Sequence, residues 1–238
     1  MTQDEIIAKL ATVSPDTENA IELKSMLIFD ELGWEIIYAE HEVGGDPTML
    51  GRSHHGEVIL ERYLFNAIKF LNPDLPDEAF QSAKDELVRD RSTMSLAKAN
   101  QQIYTLLKDG VKVSFRDKGG VRQDEKVQLI NWSAPNENHF LLVSQMWVAG
   151  DMYKRRPDLI GFINGIPLLF MELKNPDKNI KHAYEENLRD YKDTIPHLLW
   201  YNGIVLLSNG TEAKAGALRQ SGNISLIGKR LMMKVKRA

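Results

Sequence analysis

The chain has 238 residues, 43% of them hydrophobic, and 30 Lys and Arg stand against 33 Asp and Glu for a net charge of -3. That length and balance suit one large globular unit with a buried centre, and exclude collagen, coiled coil and long disorder. The absence of cysteine excludes a disulfide framework, thiolate metal sites and cysteine nucleophiles.

The N-terminus lacks a basic-then-apolar leader and no apolar run reaches bilayer length, so a soluble, cytoplasmic protein with no membrane partner is expected. Thr2 to Leu10 reads as a short amphipathic helix. Asp16 or Thr17 caps a second, with Ile21, Met26, Leu27 and Leu32 on one side and a stop at Gly33. Trp34 to Tyr38 reads as a short strand, and Asp46-Pro47 and Gly51 as a loop. Three helices follow: one from Glu57 through Ile59, Leu60, Leu64, Ile68 and Leu71; one from Pro76-Asp77 through Phe80 and Leu87; one from Ser95 to Gly110.

The period then changes. Val111 to Arg116 alternates as a strand, Lys118-Gly119-Gly120 turns it, and Val127 to Trp132 is expected to answer it. Phe140 to Val148, Leu159 to Ile163, Ile166 to Leu173 and Gly203 to Ser208 read as further strands, with a helix over Ala183 to Tyr191. The sum is an α/β fold, with a mixed central sheet flanked by helices and a helical part over about 1–110 ahead of a sheet core over about 111–217.

Residues 218–238 form a basic tail. No acid follows Glu212, while seven Lys and Arg do, leaving 23 basic against 33 acidic groups before it. An acidic body is a poor stand-alone binder of phosphate backbones, so any grip on nucleic acid must be local or supplied by other parts. The tail is open to two readings: a genuine DNA-touching extension, or a stretch translated out of frame.

The informative segment is Arg155-Arg156-Pro157-Asp158-Leu159-Ile160-Gly161-Phe162-Ile163-Asn164-Gly165-Ile166-Pro167-Leu168-Leu169-Phe170-Met171-Glu172-Leu173-Lys174. Its strands are apolar enough for burial on both faces, yet Glu172 and Lys174 end the second one, on one face by the strand period of two. Burying such charges is unfavourable by several kcal/mol unless they are paired or bind a metal. A Glu-Lys contact at a frayed strand end satisfies that requirement. So does a site in which Asp158 joins them, since two carboxylates, a backbone carbonyl and water suit Mg²⁺ and a lysine stabilises a developing phosphorane charge. The second reading makes a geometric demand. A plain two-residue loop at Asn164-Gly165 sets Asp158 opposite Met171; only a three-residue loop or an equivalent bulge sets it opposite Glu172.

Pro157-Asp158 with Glu172-Leu173-Lys174 resembles the PD-(D/E)xK nuclease motif. The wider run, Arg156-Pro157-Asp158, Asn164-Gly165-Ile166-Pro167-Leu168 and Glu172-Leu173-Lys174-Asn175-Pro176, resembles the N-terminal nuclease domain of the R subunit of type I restriction-modification enzymes. Gly33-Trp34, Leu71-Asn72-Pro73, Ala99-Asn100, Gln145 and Leu207-Ser208-Asn209-Gly210 extend the likeness over roughly residues 17–217. The resemblance implies a restriction-endonuclease-like core and an Mg²⁺-dependent endonuclease acting on double-stranded DNA. It also implies partner specificity and methyltransferase subunits, with Asp158 and Glu172 as metal ligands and Lys174 as the catalytic lysine. The family's Gln-x-x-x-Tyr motif maps to Asn187 and Tyr191, with Asn in the Gln place, and an early-helix acid to Glu57 or Glu61. The family's ATP-driven motor is not represented. The chain has no G-x-x-x-x-G-K-[ST] loop, so no ATP site, and a fragment of a longer protein is expected.

Other candidates carry less. His54-His55 reads as a solvent pair, His139, His182 and His197 receive no role, and Lys178, Lys181 and Arg189 suit phosphate contacts or a plain surface patch equally.

Overall fold

The computed structural model describes residues 1–46, 49–180, 187–218 and 224–227, with only the backbone at 218 and 224–227. Helix α1 (Gln3–Leu10) opens on a capping box in which the Thr2 hydroxyl accepts from the Glu5 N–H and the Glu5 carboxylate from the Thr2 N–H. Helix α2 (Glu18–Glu31) is capped by the Thr17 hydroxyl and is stopped at Gly33, where φ is +84°. Strand β1 (Glu35–Tyr38) follows, then α3 (Glu61–Leu71), α4 (Asp77–Val88) and α5 (Leu96–Asp109). The helix expected from Glu57 thus begins only at Glu61: Ile59 and Leu60 are buried ahead of it, and the Leu60 N–H is bound to the Gly165 carbonyl at 2.9 Å.

Strands β2 (Val111–Arg116) and β3 (Arg122–Val127) pair antiparallel as a separate hairpin. The return strand therefore lies earlier than the expected Val127 to Trp132. Most of its length faces solvent, so it carries Arg122, Asp124, Glu125 and Lys126 instead of an apolar stripe. Strand β4 (Phe140–Ser144) also ends before the expected Val148, because Gln145 turns into left-handed backbone at φ 57°. The two-residue strands β5 (Val148–Ala149) and β6 (Lys154–Arg155) pair beyond it.

The central sheet is completed by β7 (Leu159–Ile163), β8 (Ile166–Leu173), β9 (Ile204–Ser208), β10 (Ala213–Leu218) and β11 (Ile224–Ile227). Its order is β1-β4-β7-β8-β9-β10-β11, with β1·β4 and β8·β9 parallel and the other neighbours antiparallel. The chain is thus an α/β protein with a mixed sheet flanked by helices, consistent with a nuclease-like core. Strands β10 and β11, the second within the basic tail, have no counterpart in the sequence reading. Short helices α6 (Arg189–Thr194) and α7 (Pro196–Leu199) connect β8 to β9; residues 183–186 of the helix expected there, with Lys181 and His182, lie outside the described residues.

Strand alternation builds a core on each face. Leu142, Leu159, Met171 and Leu173 pack with Ile6, Ile21 and Met26 of α1 and α2. Leu141, Val143, Ile160, Phe162 and Phe170 pack with Leu64, Ile103, Tyr191 and Leu199 on the other side. Among the described residues no helix is long and apolar enough to cross a membrane.

Candidate active site

Asn164 and Gly165 form a two-residue hairpin loop, both at positive φ (53° and 77°), with Ile163 opposite Ile166. Taken alone, that loop gives the unproductive parity. One residue is inserted: Phe162 faces Pro167 but Gly161 faces Leu169, leaving Leu168 as the extra residue of a bulge. From there Ile160 faces Phe170 and Leu159 faces Met171, so continuing the register sets Asp158 opposite Glu172. The bulge meets the geometric demand.

Asp158 stands just before β7 and its Oδ2 accepts the Leu173 N–H at 2.7 Å. Glu172 lies in β8 and is only 3% exposed. Burial first, and then the Glu172 charge, push the Asp158 carboxyl up to about 8. Glu172 is likewise raised by burial, which outweighs the opposing pull of Lys174 and of the Asn187 amide. Two neighbouring carboxylates whose proton affinity is raised by burial are short of positive charge.

Lys174 supplies part of that charge, with its Nζ 3.1 Å from Glu172 Oε1. Burial alone would lower its ammonium, but the charges of Glu172 and Glu18 prevail and its pKa rises. Asn187 donates its amide to the same Oε1, and the Tyr191 hydroxyl donates to Oε2 at 3.3 Å. Asn thus reaches the carboxylate despite being one methylene shorter than Gln. Tyr191 meets Glu172 because both share the face of Phe170, whose ring lies edge-on to that of Tyr191 at 5.5 Å. Burial, then Glu172 and Asp158, push the phenol upward, so it is a donor at all working pH.

Helix α2 brings two acids that sequence reasoning missed. Glu22, 7% exposed, accepts from the Ser144 hydroxyl at 2.5 Å and from the Gln145 amide at 2.9 Å on both oxygens. Burial raises its carboxyl despite those bonds. Glu18 lies one turn earlier, its N–H bound to Asn175 Oδ1 at 2.8 Å, and its charge acts on Asp158, Glu172 and Lys174. The available signal was Glu22 itself, a charged residue between Ile21 and Leu23 within a buried helix face. Gln145 is joined to the group through Glu22 and through its N–H, bound to the Asp158 carbonyl at 2.9 Å.

Glu57 and Glu61 are placed elsewhere. Glu57 accepts from the Ser53 N–H and lies near His54, and Glu61 pairs with Lys84 at 2.9 Å. A cleft of about 840 Å³ between α4, α5 and the β2–β3 hairpin contains none of the site residues.

The donor set of Asp158, Glu172 and the Leu173 carbonyl between Glu172 and Lys174 is all oxygen. Among the described residues no three acids or histidines form a ready-made metal cage. Mg²⁺ does not ask for one: it is held by one or two carboxylates and completes its shell with water and substrate phosphate oxygens. The charge-deficient carboxylate pair fits that ion.

Residues 16–224 match the family model described as type I restriction enzyme R protein N terminus. Over 208 residues the chain is 33% identical to the type I restriction enzyme HindI endonuclease subunit of Haemophilus influenzae, covering 84% of this chain and 19% of that protein. Over 179 residues it is 34% identical to the provisionally named type I restriction enzyme MjaIXP endonuclease subunit of Methanocaldococcus jannaschii, covering 72% and 17%. The chain therefore spans about a fifth of the length of these relatives.

Proposed function

Because the chain belongs to the family of type I restriction enzyme R protein N termini, we propose that it is the Mg²⁺-dependent endonuclease domain of such a protein, cutting double-stranded DNA. The observation that carries this reading is the bulge-corrected register that turns Asp158 and Glu172 to one face, with Lys174 against Glu172. Asp158 and Glu172 hold the metal, and Lys174 is the catalytic lysine. When bound, Mg²⁺ supplies charge to a phosphoryl oxygen and acidifies a water.

The residues themselves divide the remaining work. The Lys174 ammonium, positioned by Glu172, stabilises the negative charge that builds on the phosphorus-bound oxygens as water attacks. Asn187 and Tyr191 each hold one Glu172 oxygen, which stops the carboxylate from rotating. The Leu173 N–H does the same for Asp158. In this reading an ATP-driven motor elsewhere in the R protein delivers DNA to the site, and separate specificity and methyltransferase subunits read the sequence.

Supercoiled plasmid incubated with the purified chain and Mg²⁺ tests the proposal beside Asp158→Ala and Lys174→Ala. Weak, sequence-independent nicking by the wild type, lost in both variants, is expected. Equal cutting by all three proteins rejects the assigned residues.

A further inference from the structure

Two consecutive arginines leave the chain ahead of β7 toward different supports. Arg156 Nη1 meets Glu40 Oε1 at 3.0 Å, while Arg155 makes a two-pronged contact with Asp190, its Nε to Oδ2 and its Nη2 to Oδ1, the second at 2.8 Å. Pro157 is buried between this fork and Asp158. Asp190 stands next to Tyr191 on α6 and three residues after Asn187. Residues 187 and 188 lead into α6 as a π turn, and from this stretch Asn187 and Tyr191 both reach Glu172.

The buried Leu188 and the Tyr191 ring against Phe170 seat this segment on the core. The Arg155–Asp190 fork adds a polar tie, and its origin is the chain that delivers Asp158. The guanidinium keeps Asp190 below the usual carboxylate range, so the pair is ionised at neutral pH.

We infer that Arg155 is a positioning residue for the site: through Asp190 it fixes the helical segment from which Asn187 and Tyr191 orient Glu172, and it ties that segment to the strand entry carrying Asp158. The inference rests on the nuclease reading. A planar two-pronged contact does this and a point charge does it poorly, so lysine is an incomplete substitute.

The test uses the whole chain and compares Arg155→Ala, Arg155→Lys, Asp190→Asn and the double exchange Arg155→Asp/Asp190→Arg with wild type and Asp158→Ala. Ca²⁺ binding without DNA is measured by calorimetry, plasmid nicking with Mg²⁺ by gel, plasmid affinity in Ca²⁺ by filter binding, and folding by melting temperature. Arg155→Ala and Asp190→Asn are expected to weaken both Ca²⁺ binding and nicking by about tenfold, the scale of lost outer-shell support. Plasmid affinity and melting should stay near wild type, Arg155→Lys should fall between, and the double exchange should recover most of both losses. Wild-type Ca²⁺ binding and nicking in Arg155→Ala, with Asp158→Ala inactive, overturns the positioning role and leaves the nuclease reading standing. A folded double exchange that recovers neither signal overturns it too. A wild type that binds no Ca²⁺, or that Asp158→Ala matches in cutting, overturns the nuclease reading and this inference with it.

Discussion

The Leu173 N–H donates to Asp158 Oδ2 at 2.7 Å, so the strand that carries Glu172 also holds the opposing carboxylate in place. The two acids cannot be treated as independent groups. A change at either alters the field, the proton affinity and the support of the other.

Stability of the metal-free protein should therefore fall as pH rises. The Asp158 carboxyl is raised from 3.8 to about 8 in the fold, so between those values the folded state retains a proton that the unfolded state has lost. This group's contribution is fully present below about pH 4 and is lost as pH climbs through about 8, at no more than about 1.4 kcal/mol per pH unit. Urea unfolding in EDTA across pH 5 to 8 should show the decline, Asp158→Asn should flatten it, and added Mg²⁺ should restore stability at the upper end. A wild-type profile that matches Asp158→Asn would count against a raised Asp158 carboxyl.

Removing the Asn187 amide should be costlier than removing the Tyr191 hydroxyl. Asn187 holds Glu172 Oε1, the oxygen that also positions Lys174, while the Tyr191 contact to Oε2 is 3.3 Å long. We expect Asn187→Ala to lower Mg²⁺-dependent nicking by about tenfold and Tyr191→Phe by a few-fold, while Asn187→Gln retains most of it. Initial nicking rates at saturating Mg²⁺ measure the order.

Glu22→Ala should destabilise the fold by about 1–3 kcal/mol, because it leaves the Ser144 hydroxyl and the Gln145 amide without their acceptor at a buried position. Urea midpoints at pH 7 would show it. A midpoint equal to wild type contradicts the bonding described.

Gly165→Ala meets both a torsional and a steric obstacle. Its φ is +77°, and a Cβ there would lie 2.5 Å from the Leu60 carbonyl oxygen and 2.7 Å from the Leu64 nitrogen. A loss of at least about 2 kcal/mol is expected from equilibrium unfolding.

Arg52→Met should unfold the protein more easily by about 3–5 kcal/mol. Arg52 is paired with Glu42, both side chains are 1% exposed, and the guanidinium also donates to the Glu57 and Trp147 carbonyls. Arg52→Met combined with Glu42→Gln should recover part of the loss, since the uncompensated charge is then gone.

Much of this site was legible because it is local. Asp158, Glu172 and Lys174 belong to one hairpin, where alternation assigns faces and a loop count assigns partners. Leu168 was not legible as the bulged residue: an apolar residue in an apolar strand carries no mark of being unpaired. The β3 position was misjudged for the opposite reason, since a strand open to water keeps no apolar stripe. The left-handed turn at Gln145 that ends β4 follows from its bonds to the Asp158 carbonyl and Glu22, neither of which is near it in the chain.

Readable from the residues alone were the helix starts at Thr2 and Ser95, a start at Asp16 or Thr17, the two strands of the motif hairpin and the identity of its charged residues. Capping and side-chain alternation depend on neighbours a few positions apart. The folded chain adds that Thr17 rather than Asp16 caps α2, that Asp158 faces Glu172, that Glu18 and Glu22 of α2 reach the same end of the sheet, and that Glu57 and Glu61 do not. The last three outcomes depend on strand order and on one inserted residue, and the proximity of distant segments is set by how whole layers pack.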